Sequence, residues 1–206
     1  MSDRELVYLG DPLCSWCWGF APVLEKLPEA LGLPLKVVCG GMSPGDGARV
    51  IDEKTQSFLG GCWSQVEEAS GQPFDHGQLA GMLGWRYDSE PPSLAVVAVR
   101  EAAPDKAMAF FADVQHAFYA EGRDVTSKAV LAELMAPYVQ DVDLADPELK
   151  KRTWADFAFA HKLGVRAFPT LLLREGDKLS LITQGFRPLE QLEQPLRTYL
   201  SSQSPG

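Results

Sequence analysis

The sequence predicts an α/β protein in which strands lie near both ends of the chain and a helical segment lies between them. Apolar runs of strand-forming residues occur at positions 6–9, 35–38, 170–173 and 179–183. From about Gly45 to about Asp146, apolar residues instead recur at helical spacing. We therefore expect residues 1–44 and 147–206 to form one α/β domain and residues 45–146 to form an inserted, all-helical domain.

Composition and charge limit the class of protein. The 206 residues are 46% hydrophobic and 23% charged, a balance typical of a globular chain that buries a full core. The formal net charge of −9 disfavours binding to nucleic acid or to an anionic membrane, because both need clustered Lys and Arg. The sequence also lacks an apolar stretch of the roughly 20 residues that span a bilayer. Its first residues lack the basic region and apolar run of a signal peptide, so we expect a cytoplasmic protein.

The N-terminal part is expected to run strand, helix, strand. Gly10, Asp11 and Pro12 are chain-breaking residues that end the first strand. Gly32 is a favourable helix C-cap and ends the helix before the second strand begins. The apolar stripe of this helix consists of Phe20, Leu24, Leu27 and Leu31.

The middle and the C-terminal part also contain short patterns that predict helices and a hairpin turn. Asp146 and Pro147 suit the N-cap and first turn of a helix, and residues 175–177 suit the turn of a hairpin between the last two strands. One helical stripe in the middle consists of Ala107, Phe110, Phe111, Val114 and Phe118. The stripe of the last helix consists of Leu189, Leu192, Leu196 and Leu200.

The clearest chemical signal is a pair of cysteines, Cys14 and Cys17, placed where the first strand ends and the first helix begins. The unpaired N–H groups and the positive end of a helix dipole stabilise an anion there, so we expect a thiolate at neutral pH. The spacing places both sulfurs on one helical face, within reach of each other. We expect Cys14 to be the exposed nucleophile and Cys17 to be the inner thiol that closes the disulfide.

The residues from Asp11 to Phe20, Asp-Pro-Leu-Cys-Ser-Trp-Cys-Trp-Gly-Phe, resemble the active-site segment of the DsbA family, most closely its FrnE-like branch. That family consists of thiol–disulfide oxidoreductases with a thioredoxin fold. The resemblance therefore implies a thioredoxin-like fold interrupted by an all-helical insertion domain. Residues 165–170 resemble the family's cis-proline loop, which implies a cis Phe168–Pro169 bond facing the cysteines. Such a loop exposes backbone groups with which an extended substrate can pair.

The resemblance assigns four residues to the substrate-binding loops beside the cysteines: Ser15, Trp16, Phe168 and Pro169. Strongly oxidising members of the family carry Pro-His between the cysteines, so Ser15 and Trp16 predict a less oxidising site. Trp16 is expected to be exposed in its turn, where it either lies over bound substrate or packs on a neighbouring loop. Phe168 is bulkier than the small or β-branched residue usual before the proline.

The remaining cysteines and histidines favour structural interpretations. Cys39 and Cys62 could complete a zinc site with the first pair, but neither belongs to a second closely spaced motif, and we expect no metal. Both are expected to be small buried hydrophobes, although a regulatory bridge between them stays open. Three isolated histidines, which we expect to have no catalytic role, are His76, His116 and His161.

We therefore predict a protein disulfide oxidoreductase or isomerase that acts on a protein or a low-molecular-weight thiol. We expect no cofactor, with glutathione as a possible co-substrate. A related alternative is a glutathione-dependent isomerase or transferase of the kappa class, although such enzymes carry a lone serine where this chain has Cys14. A non-enzymatic alternative is a protein adaptor whose cysteines sense the redox state.

Overall fold

The computed structural model describes residues 4–203, so the first and last three residues of the predicted α/β domain lie outside the described part of the chain. Two one-turn 3₁₀ helices accompany the regular elements, at Gly45–Gly47 and Pro104–Lys106. In chain order, the regular elements are β1 (Arg4–Gly10), α1 (Ser15–Leu31), β2 (Leu35–Cys39), β3 (Arg49–Val50), α2 (Glu53–Ser70), α3 (His76–Ala80), β4 (Arg86–Tyr87), α4 (Glu90–Ala102), α5 (Ala107–Tyr119), α6 (Lys128–Met135), α7 (Pro147–Lys162), β5 (Thr170–Glu175), β6 (Lys178–Gln184) and α8 (Leu189–Ser202).

The central sheet joins the two ends of the chain. Its four strands lie in the order β2-β1-β5-β6. Strand β1 pairs in parallel with β2 and antiparallel with β5, and β5 pairs antiparallel with β6. The strands predicted near both termini therefore form one sheet, although the whole helical segment separates them in sequence.

The alternation of side chains along β1 assigns each to one face of the sheet. Val7 and Leu9 belong to a small apolar cluster with Ala160 of α7. Leu6 and Tyr8 belong to the main core, on the side of the sheet where α1 packs. This alternation decides which strand residues can approach the helix that carries the cysteines.

Several element ends follow the predicted local chemistry. Helix α1 ends at Gly32, which adopts the left-handed conformation with φ 63° that favours glycine. Helix α7 begins after Asp146, whose side chain accepts a hydrogen bond from the Glu148 N–H. The last hairpin turns at Gly176, where φ is 58°.

The segment between β2 and α7 is helical except for β3 and β4, two-residue strands that pair antiparallel. These strands are too short to carry a period-2 pattern, so a purely helical prediction missed them. No helix in residues 4–203 combines the length and the apolar character that a membrane span requires.

Candidate active site

The two cysteines lie at the N-terminus of α1, directly after the turn that follows β1. Cys14 is the N-cap residue with extended backbone geometry, and its carbonyl accepts the N–H groups of Cys17 and Trp18. Cys14 is 8% exposed and Cys17 is fully buried. The order of access agrees with the prediction, but the expectation of an exposed Cys14 is wrong.

The loop before β5 explains why Cys14 is covered. The Cys14 sulfur donates a hydrogen bond to the Phe168 carbonyl oxygen at 3.6 Å, across 154 positions of sequence. The Phe168–Pro169 peptide bond is cis, as the resemblance implies, and Pro169 is buried. The Phe168 ring lies against Gly40, where an added Cβ atom would come within 2.2 Å of it. Gly40 therefore leaves room for the loop to approach the cysteines.

Cys14 lines a groove of about 700 Å³ that is bounded by the loop after β2, helix α7 and the loop before β5. Met42, in the loop after β2, lines one side of the groove. His161 and Arg166 line the groove from the other side, and both are exposed. The arrangement gives a small thiol or disulfide a route to the outer cysteine while Cys17 stays behind it.

Comparison with solved structures places the fold in one family. A candidate protein disulfide isomerase from Nitrosomonas europaea is 34% identical, with a TM-score of 0.85, and the match covers 98% of this chain and 99% of the other. This chain belongs to the DsbA-like thioredoxin-fold family. No family model matches the sequence.

Two further relatives extend the comparison of this DsbA-like protein. The cytosolic disulfide reductase DsbM from Pseudomonas aeruginosa is 28% identical with a TM-score of 0.74, and the match covers 97% of this chain and 98% of that one. Its structure with GSH matches at 29% identity and a TM-score of 0.71. The ClpXP adapter protein SpxH from Halalkalibacterium halodurans is 26% identical over 182 residues. That match covers 82% of this chain but only 58% of SpxH, so the chain spans less than two thirds of this curated relative.

Of the two residues between the cysteines, Trp16 packs against a neighbouring loop and does not point freely into solvent. Trp16 is half-buried, and its ring centroid lies 5.9 Å from that of Phe186, in the loop after β6. The expectation of an exposed Trp16 is therefore wrong, because the loop after β6 covers its ring. Ser15 is also half-buried.

Asp11, which the sequence predicts to end the first strand, is also part of the site. Its carboxylate is fully buried and accepts hydrogen bonds from the Leu13 N–H at 2.9 Å and the Met42 N–H at 2.6 Å. Burial raises the pKa of Asp11 to about 6, although these N–H groups act in the opposite direction. Asp11 thus ties the cysteine turn to the loop after β2. In the sequence, this role is indicated only by the position of an acidic residue between an apolar strand and the Cys-x-x-Cys pair.

The thiols differ in environment. Burial raises the pKa of Cys17, and Cys14 raises it further, whereas the Tyr8 hydroxyl acts in the opposite direction. Cys39 is fully buried at the end of β2, which agrees with the predicted hydrophobic role, and burial also raises its pKa. Cys62 is only half-buried, so the prediction of a buried hydrophobe is wrong there. Partial burial and the nearby Cys14 raise the pKa of Cys62.

The histidines separate into two groups. His76 contacts Glu67, and His116 contacts Glu121, both on the surface. His161 instead lines the groove that reaches Cys14. Its place could not be predicted from sequence, because α7 comes to the cysteines only through the pairing of distant strands. Within residues 4–203, acidic, histidine and cysteine side chains form no group of three or more that could hold a metal ion.

Proposed function

We propose that this protein is a cytoplasmic thiol–disulfide oxidoreductase that acts through Cys14 and Cys17 on small or protein disulfides. The observation that carries the proposal is that substrate can reach one of the two thiols but not the other. Cys14 lines an open groove at a helix N-terminus, and Cys17 is fully buried on the same helix. A nucleophile that substrate can reach and a resolving thiol that it cannot are the two parts of a thiol exchange site.

The proposed reaction has two steps. The Cys14 thiolate attacks one sulfur of the substrate disulfide and releases the other as a thiol, which leaves a mixed disulfide on Cys14. Cys17 then attacks the Cys14 sulfur, forms the Cys14–Cys17 disulfide and releases the second substrate thiol. The Phe168 carbonyl, which contacts the Cys14 sulfur, lies where substrate backbone could pair beside the attacking atom.

Glutathione-type substrates fit the groove in size and charge. A volume of about 700 Å³ is in the range of small-molecule sites. Arg166 is exposed on its wall and pairs with no carboxylate of residues 4–203, so it is available to a substrate carboxylate. The GSH-bound structure of DsbM supports the same substrate class. The proposal needs no bound cofactor, since the electrons move between sulfurs.

Reduction of glutathione disulfide and of insulin tests this function directly. We expect Cys14→Ser to fall to the uncatalysed rate on both substrates. Cys17→Ser should accumulate a mixed disulfide, seen by mass spectrometry as one added glutathionyl group on Cys14. Cys62→Ser is the matched control, because Cys62 is the most accessible other thiol, and it should keep wild-type turnover. Wild-type turnover in Cys14→Ser would contradict the proposal.

The match to SpxH favours a second candidate, a protein adaptor. An adaptor would bind its partner through a surface and would keep that binding without its thiols. A wild type without exchange activity, together with a Cys14→Ser, Cys17→Ser double variant that still binds the partner protein, would favour this alternative.

A further inference from the structure

Tyr8 of β1 is buried between the central sheet and α1, the helix that carries the two cysteines. It is fully buried, and the alternation along β1 turns it toward the face of the sheet covered by α1. Its ring packs edge-on against Phe111, with centroids 5.5 Å apart, and at a tilt to Phe20, with centroids 6.5 Å apart. Packing of this kind holds the phenol in one orientation.

The Tyr8 hydroxyl is unusual among the buried phenols of the described residues. It makes no hydrogen bond of ordinary geometry with any part of residues 4–203. The other two fully buried or nearly buried phenols have partners: the Tyr87 hydroxyl donates to the Leu13 carbonyl at 2.6 Å and lies 3.4 Å from the Tyr119 hydroxyl. A buried hydroxyl without a partner is unfavourable, so its retention calls for a reason.

The group that this hydroxyl acts on is the Cys17 sulfur. Burial raises the pKa of both groups; beyond burial, the Cys17 thiol raises the pKa of Tyr8 further, whereas the Tyr8 hydroxyl counteracts the rise in the pKa of Cys17. Gly10 keeps the space open, because a Cβ atom there would lie 2.2 Å from the Tyr8 hydroxyl oxygen. A neutral thiol is a weak acceptor, but a thiolate is a strong one. The Tyr8 hydroxyl can therefore donate a strong hydrogen bond to the Cys17 sulfur only when Cys17 ionises.

We propose that the Tyr8 hydroxyl donates a hydrogen bond to the Cys17 sulfur as Cys17 resolves the mixed disulfide. This inference rests on the proposed exchange at Cys14 and Cys17. In that step the S–H bond of Cys17 and the bond between Cys14 and the substrate sulfur break, and the Cys14–Cys17 bond forms. The substrate thiolate leaves with the electron pair of its broken bond and takes up the proton that Cys17 lost. In this step Cys17 is oxidised and the departing substrate sulfur is reduced; over both steps Cys14 and Cys17 are oxidised and the substrate disulfide is reduced.

A two-phase reaction with a chromogenic aromatic disulfide separates the two cysteines. Attack by Cys14 releases one coloured thiolate, and resolution by Cys17 releases the second, so each phase reports one sulfur. The measurement is made in a Cys62→Ser background to remove the other accessible thiol. We expect Tyr8→Phe to leave the first phase unchanged and to slow the second about tenfold at neutral pH, because the pKa of Cys17 rises when the hydroxyl is removed. The pH midpoint of the second phase should move upward, and the rates should converge at high pH.

Two further variants make the result specific. Tyr138→Phe removes a hydroxyl that donates to Asp113 on the surface of the helical segment, and it should leave both phases unchanged. Gly10→Ala should displace the Tyr8 hydroxyl and slow the second phase. Tyr8→Phe should melt no lower than wild type, because it deletes an unpaired buried hydroxyl. A folded Tyr8→Phe with a wild-type second phase and pH midpoint would overturn the inference. A wild type that shows no second phase would instead overturn the proposed function.

Discussion

Asp11 is a buried carboxyl group whose ionisation makes folding stability depend on pH. Its pKa rises from an ordinary value of 3.8 to about 6 because burial disfavours the charged form. Between these two values the folded chain holds the proton while the unfolded chain has lost it. The contribution of Asp11 to stability is therefore complete below about pH 4 and is lost as the pH rises through about 6.

We expect Asp11→Asn, which does not titrate, to gain stability relative to wild type between pH 4 and pH 7. The shift corresponds to roughly 3 kcal/mol at most, at 1.36 kcal/mol per pKa unit. Urea unfolding of both proteins at several pH values measures the difference. Asp52→Asn is the control, because its exposed carboxyl has a lowered pKa and should give a trend of opposite sign. A pH-independent difference between wild type and Asp11→Asn would contradict the assignment.

At the scale of elements, helices α4 and α7 complete the outer edge of strand β2. Arg100 of α4 donates to the Val37 carbonyl at 2.8 Å, and Asp156 of α7 accepts the Cys39 N–H at 2.9 Å. Arg100 and Asp156 also form an ion pair with each other, and their side chains are only 16% and 14% exposed. An edge strand whose backbone groups are paired in this way is closed to other strands. The same contacts hold α7, and hence the wall of the groove, against the sheet.

Asp156→Ala should therefore destabilise the protein by about 2–4 kcal/mol, because Arg100 loses its ion-pair partner and the Cys39 N–H loses its acceptor. Urea denaturation measures the change in the free energy of unfolding. An Arg100→Met, Asp156→Ala double variant should lose less than the sum of the single changes. The exposed Arg197–Glu193 pair supplies the control, since Glu193→Ala should cost no more than about 0.5 kcal/mol. Equal losses of unfolding free energy in Asp156→Ala and Glu193→Ala would show that the contacts at the edge of β2 do not contribute to stability.

At the scale of the whole molecule, one apolar core runs from the sheet into the helical segment. Tyr8 of β1 and Phe111 of α5 are in ring contact within it. Helices α1 and α2 approach so closely that a Cβ atom at Gly19 would lie 2.7 Å from the Val66 side chain. The predicted boundaries at residues 45 and 146 divide the sequence, but the packing crosses them.

We accordingly expect the chain to unfold as one cooperative unit. Phe111→Ala should lower the stability by about 3–5 kcal/mol through the cavity that it leaves. Circular dichroism, which reports all the helices, and alkylation of buried Cys39, which reports the sheet, should give the same midpoint in urea. A midpoint for Cys39 that stays at the wild-type value while the helical signal shifts would show that the helical segment unfolds separately.

The sequence by itself determined the features that depend on neighbouring residues. The Cys14–Cys17 pair at the start of a helix, the C-cap at Gly32 and the start of α7 at Asp146 all follow from a few adjacent side chains. The order of strands and helices follows from local periodicity, and it was enough to support the resemblance to a known family.

Only the tertiary structure decided the environment of the thiols. Phe168 contacts the Cys14 sulfur across 154 positions of sequence, and His161 and Arg166 line the same groove as Cys14. The burial of Asp11 and the unpaired hydroxyl of Tyr8 likewise depend on segments that meet only when the sheet closes. Reactivity at a sulfur depends on solvent access and on nearby dipoles, and both are set by groups brought close in space rather than in sequence.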